Sequence, residues 1–96
     1  MMNYTTTKEG DFINWEAITW EWTNKEHTEA KCYHKTFADK VSAYDYLETR
    51  WETGYVLSAA LDRNIYPKEG WIEKNNHLFC IDPECLPRNT RLMHQE

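Results

Sequence analysis

The chain has no apolar run near the ~20 residues that a bilayer-spanning helix needs, so a helix of that kind is excluded and no membrane partner is expected. Its opening, MMNYTTTKEGDF, holds no apolar signal-peptide stretch. Cysteine is scarce and odd in number: Cys32, Cys80 and Cys85 cannot all pair, which argues against a disulfide framework and for a reducing, cytoplasmic setting. Glycine and proline, three of each, are too few for a chain disordered along its whole length. Basic residues are outnumbered, eleven against sixteen acidic ones, and a charge of −5 disfavours the counterion release that drives nucleic-acid binding. Direct contact with nucleic acid is therefore not expected. Catalytic signatures are missing too: there is no G-x-S-x-G elbow, no P-loop, no G-x-G-x-x-G turn, no H-E-x-x-H helix, and no pairing of H-x-E with P-C-x-x-C. A non-enzymatic role is the expectation.

What the chain has in quantity is aromatic side chains, with five Trp, six Tyr and three Phe among 96 residues. A chain of that length forms one domain with one core, and so many rings do not all fit inside it. Some must lie on the surface, where a ring with a polar edge favours partner contacts. The acidic excess is concentrated early: ten acidic against six basic residues up to position 60 place −4 of the −5 there. That excess reads either as a solvated surface or as a patch for a basic partner.

One segment carries agreeing start, period and stop signals. Val41, Tyr44, Leu47 and Trp51 recur at helical steps, Asp39 or Ser42 can cap the start, and Gly54 suits the left-handed residue that ends a helix. A main helix is predicted over 39–53. Before it, Ile18, Trp20 and Trp22 alternate with Thr19, Glu21 and Thr23, the period of a half-buried strand with the tryptophans inward. Ala30, Cys32 and His34 alternate with Lys31, Tyr33 and Lys35, which predicts an antiparallel return strand with Ala30 and Cys32 across from the two large indoles. After the helix, residues 56–65 admit a second short helix, with a buried strand as the other reading. Asn75-Asn76 tolerates positive φ and predicts a tight hairpin between Trp71–Lys74 and His77–Ile81. The expected fold is α+β, an antiparallel sheet of about four strands in two hairpins packed by the main helix. Residues 1–12 read as a flexible N-terminal arm, 13–82 as the domain and 83–96 as an extended C-terminal tail.

Three sets of residues are candidates for function. The first is a contact surface in which Asp45, Glu48 and Glu52 form an acidic helix face with Tyr46 beside it, joined by Glu21 and Trp15. Core packing is the competing reading for the aromatics. The second is zinc: Cys80-x4-Cys85 has the spacing of paired ligands, Cys32-x-His34 projects from one strand face, and together they spell a Cys3His set. His77 and His94 are spare imidazoles near the same cysteines, and free cysteine is equally a small buried hydrophobe. The third is catalysis, by Glu21, Glu16, Asp45 or Glu48 near a histidine, or by a nucleophilic Cys32 assisted by His34, a pair for which no third, orienting group is evident.

The leading expectation is a regulator or inhibitor that binds a basic groove on another protein, a nucleic-acid-processing enzyme being one natural target class. In size and charge this profile resembles small phage or mobile-element inhibitors of host defence, anti-CRISPR proteins among them. The alternative is an adaptor domain stapled by zinc through the Cys3His set.

Overall fold

The computed structural model of the chain describes residues 4–95. The fold is α+β: strands β1 (Thr5–Thr6), β2 (Phe12–Trp22) and β3 (Ala30–Phe37) precede helix α1 (Lys40–Trp51), and β4 (Val56–Tyr66), β5 (Trp71–Lys74), β6 (His77–Cys80) and β7 (Arg88–Gln95) follow it. Five strands form an antiparallel sheet in which β1 and β3 share one edge of β2, while β4 lies on its other side and β7 pairs with β4. Strands β5 and β6 form a separate two-stranded sheet. Both β3 and β4 run antiparallel to β2, hence parallel to each other. A hairpin turn cannot join parallel strands, so α1 makes the crossover above β2.

The core lies between α1 and the sheet. Ile13, Trp15, Ala17, Ala43, Leu47, Ala59 and Leu61 form it, with Phe37, Tyr44, Tyr46, Val56 and Met93 packed around them. Strand β2 turns Ile13, Trp15, Ala17, Thr19 and Glu21 inward, the reverse of the expected face, and leaves Trp20 45% exposed. The chain carries two apolar sets one residue out of phase, and a strand can bury only one beneath the helix. The earlier set wins. Its continuation buries Thr19 and Glu21, whose polar groups find partners, with the Thr19 hydroxyl donating to Glu21 Oε2 at 2.7 Å. The register of the hairpin is nevertheless the expected one, with Cys32 across from Trp20 and Ala30 across from Trp22. These pairs stand on the face away from α1.

The helix expected over 56–65 is instead β4, paired with β2 along one side and β7 along the other. Ser58 through Asp62 are all buried. Burial of both faces erases the alternation that marks a half-buried strand, and two ladders of hydrogen bonds override the helical propensity of alanine and leucine. The stretch read as a tail supplies β7. Within the stretch read as an arm, Thr5 and Thr6 pair with Ile13 and Phe12, and the Tyr4 hydroxyl donates to the Asn76 carbonyl at 3.1 Å.

Of the two candidate caps, Asp39 starts helix α1, accepting from the Ser42 N–H at 2.8 Å and from the Ser42 hydroxyl at 2.9 Å. Gly54 follows its C-terminus at φ +79°. The buried stripe is rotated from the expected one: Ala43 and Leu47 face the sheet, while Val41 is 69% exposed and Trp51 stands partly in solvent. Asn75 and Asn76 take φ of 52° and 66°, the mirror-image turn expected between β5 and β6. Trp71 ties this hairpin to the body by stacking edge-on against Tyr66 at 4.8 Å and donating its indole N–H to the Cys85 carbonyl at 2.9 Å.

Gly70 sits directly under that closure. A side chain there would collide with Cβ of Cys85, an atom fixed to the backbone, so relief requires moving the chain. Gly70→Ala is expected to cost about 1 to 3 kcal/mol, the range of overpacking. Loss of amide chemical-shift dispersion confined to residues 70–85 is the check.

Candidate functional site

The acidic helix face assembles around a groove. Tyr44, Leu47, Glu48, Trp51 and Glu52 from the helix side meet Ala59 of β4 and Met93 of β7 around a cavity of about 340 Å³. That volume suits one or two side chains of a ligand. Both bases of α1 are already engaged. Lys40 lies over the rings of Trp15 and Tyr44 at 5.8 and 5.7 Å, and Arg50 reaches back to Glu21 on β2. Asp45, Glu48 and Glu52 form no ion pair among the described residues, which leaves the groove flanked by unopposed negative charge.

The other members of the expected surface are placed elsewhere. Trp15 is a core residue. Glu21 is buried beneath the sheet–helix layer, bound by both Thr19 and Arg50. The Arg50 hydrogen bond holds the Glu21 carboxyl below its ordinary value, against burial, which acts the other way. Tyr46 packs on Phe37 with ring centroids 5.4 Å apart, and Lys35 sits 5.0 Å over its ring. Trp51, Tyr44 and Met93 take their place. Sequence could not find Met93, because its position follows from the pairing of β7 with β4.

Among the described residues, no helix covers the face of the sheet away from α1. On it, Asp62 of β4 holds Arg91 of β7 through two hydrogen bonds, Nε at 2.7 Å and Nη2 at 3.3 Å, and accepts a third from Asn89 at 3.2 Å. Arg91 thereby keeps the Asp62 carboxyl below its ordinary value, again against burial. Beside this pair runs a chain of three groups. His34 Nδ1 lies 2.8 Å from Glu16 Oε2, and His34 Nε2 lies 3.4 Å from Cys32 Sγ. The third, orienting group that the sequence did not place is Glu16, one of the candidate carboxylates, which lies one step along the same face from the residue across from His34.

The Cys3His zinc set is not brought together. Cys32 and His34 belong to β3 of the main sheet, whereas Cys80 and Cys85 belong to the β5–β6 hairpin and the turn after it, where Cys80 donates to the Asp82 carbonyl at 3.1 Å. Burial and the neighbouring acids Asp82 and Glu69 push the Cys85 thiol up. His77 packs against Phe79 with centroids 6.4 Å apart, and the His94 side chain lies outside the described residues. Among the described residues, no three His, Cys, Asp or Glu side chains are grouped to hold a metal ion.

No described helix is long and apolar enough to cross a membrane. Comparison with protein-family models, curated proteins and solved structures finds no match to this chain.

Proposed function

We propose that this protein is a binding regulator or inhibitor, and that its groove between α1 and the β4–β7 edge seats an apolar side chain of a partner protein flanked by lysine or arginine. The observation that carries the reading is the coincidence of an apolar floor, Leu47, Trp51, Ala59 and Met93, with unopposed carboxylates, Glu48 and Glu52, at one cavity. An apolar floor supplies affinity once water is displaced, and the carboxylates select for a basic surface and speed its approach. A basic groove of the kind that nucleic-acid-processing enzymes present to phosphate is the partner surface that fits, and blocking it is how such a protein would inhibit.

Capture from a cell lysate with the tagged full chain tests this, run beside D45K/E48K/E52K and Trp51→Ala. The expected result is a stoichiometric partner that the wild type holds at low salt, that both variants lose by at least about tenfold, and that contacts Trp51 and Met93 in cross-linking. A partner retained equally by both variants, or none captured by the wild type, overturns the assignment.

A further inference from the structure

The chain Cys32–His34–Glu16 lies on the sheet face opposite the groove and plays no part in partner binding there. Its geometry is that of a nucleophile, a base and an orienting acid. Glu16 accepts the Nδ1 proton, which fixes the tautomer and turns the lone pair of Nε2 toward the thiol. Other charged groups on this face are few: Asp62 from β4 and Arg91 from β7 lie beside Glu16, and they are bound to each other. Lys31 and Lys35 of β3 alternate onto the opposite face.

The surroundings choose among the reactions open to such a thiol. Acyl transfer needs hydrogen-bond donors aimed at a developing oxyanion. Here the backbone N–H groups of β2, β3 and β4 lie in the plane of the sheet, so none is aimed at the face where Cys32 stands. Displacement at sulfur has no such need: it requires a base to take the thiol proton, an open approach and the return of that proton to the departing sulfur. Each is present. His34 is mostly in solvent, and Trp20, directly across from Cys32 and 45% exposed, offers a flat ring against which a second sulfur can lie.

We propose that Cys32 is an activated thiol for exchange with low-molecular-weight disulfides, with His34 as its base and Glu16 positioning the imidazole. In the step, His34 Nε2 takes the Cys32 proton as Sγ attacks one sulfur of the disulfide. The new S–S bond forms as the old one breaks, and the departing thiolate takes the proton back from His34. Cys32 is oxidised to a mixed disulfide and the other half of the reagent is reduced to a thiol, so the reaction needs no further oxidant. The product carries a bulky polar group over Trp20, which makes Cys32 a modification site on the open sheet face.

Oxidised glutathione added to the reduced full-length protein, with adducts at each cysteine quantified by peptide mass spectrometry over time, tests the assignment. Exposure alone ranks the exposed Cys80 above the half-buried Cys32. The proposal inverts that order, with Cys32 modified at least about tenfold faster at neutral pH, the lower end of what a positioned base contributes. Glu16→Gln and His34→Gln each bring the Cys32 rate down toward that of Cys80, whose rate in the same sample reports on folding. A Cys32 rate at or below that of Cys80, or a ratio unchanged by Glu16→Gln, overturns it even if His34→Gln fails to fold.

Discussion

Arg50→Met is expected to remove about 3 kcal/mol of stability at neutral pH, the cost of stranding one member of a buried ion pair. The figure sits at the low end of the range because Arg50 itself is 37% exposed, whereas its partner Glu21 is nearly enclosed. Methionine keeps the stem that packs along the helix and removes the charge, leaving Glu21 with only the Thr19 hydroxyl. The effect depends on pH with a definite sign. In the wild type, Glu21 titrates below its ordinary 4.5, so its contribution is full above that value and fades as pH falls through the lowered one. In the variant, burial is opposed only by the smaller effect of the Thr19 hydrogen bond and raises the same group. The difference in urea midpoint between the two proteins is therefore greatest near pH 7 and shrinks as pH falls through the lowered value of the wild-type carboxyl, below which both proteins carry it protonated. No difference between the two proteins, or one independent of pH, would show that the Arg50 charge is not what holds Glu21.

Leu61→Ala is expected to cost about 3 kcal/mol, within the 2 to 5 kcal/mol seen for leucine truncations in close-packed cores. Leu61 is 0% exposed, lies across from Ala17, and belongs to the cluster of Ile13, Trp15 and Leu47. Its neighbours on β2 and the helix are held by ladders and by the Asp39 cap, so little can move to fill the space. Thermal unfolding should fall by on the order of 15 °C for a domain of this size. Leu86→Ala is the control. That leucine is 73% exposed, and its loss should shift stability by less than about 0.5 kcal/mol.

How much of this was legible in the sequence depends on whether a signal was local. The Asp39 cap, the Gly54 stop, the Asn75-Asn76 turn and the pairing of Trp20 with Cys32 each rest on residues near one another in the chain, and each is found where expected. The inward face of β2 was misread because Ile13, Trp15 and Ala17 compete with Ile18, Trp20 and Trp22, and only the arrival of α1 decides between them. Strand β4 was misread because a strand covered on both sides has no alternation to read. The groove depends on Met93, brought beside Trp51 by pairing remote in sequence. Glu16 is a different case. Once Cys32 is set against Trp20, His34 falls across from Ile18 and Glu16 lies one step along the same face, so the third member of the thiol chain followed from a register already in hand.

The position of β2 at the middle of the sheet also fixes the order in which its two sides can be closed. Its β3 partner follows after a short loop, so that hairpin forms early and cheaply in chain entropy. Its β4 partner arrives only after the helix, and the pairing of Phe12 with Tyr66 closes a span of roughly fifty residues. During synthesis, the nascent chain therefore presents eleven residues of β2 with one row of backbone donors and acceptors unpaired until β4 leaves the ribosome. Over that interval the chain is a strand template, open to capture by another copy of itself. The time that separates the emergence of β2 from that of β4 sets how long that exposure lasts.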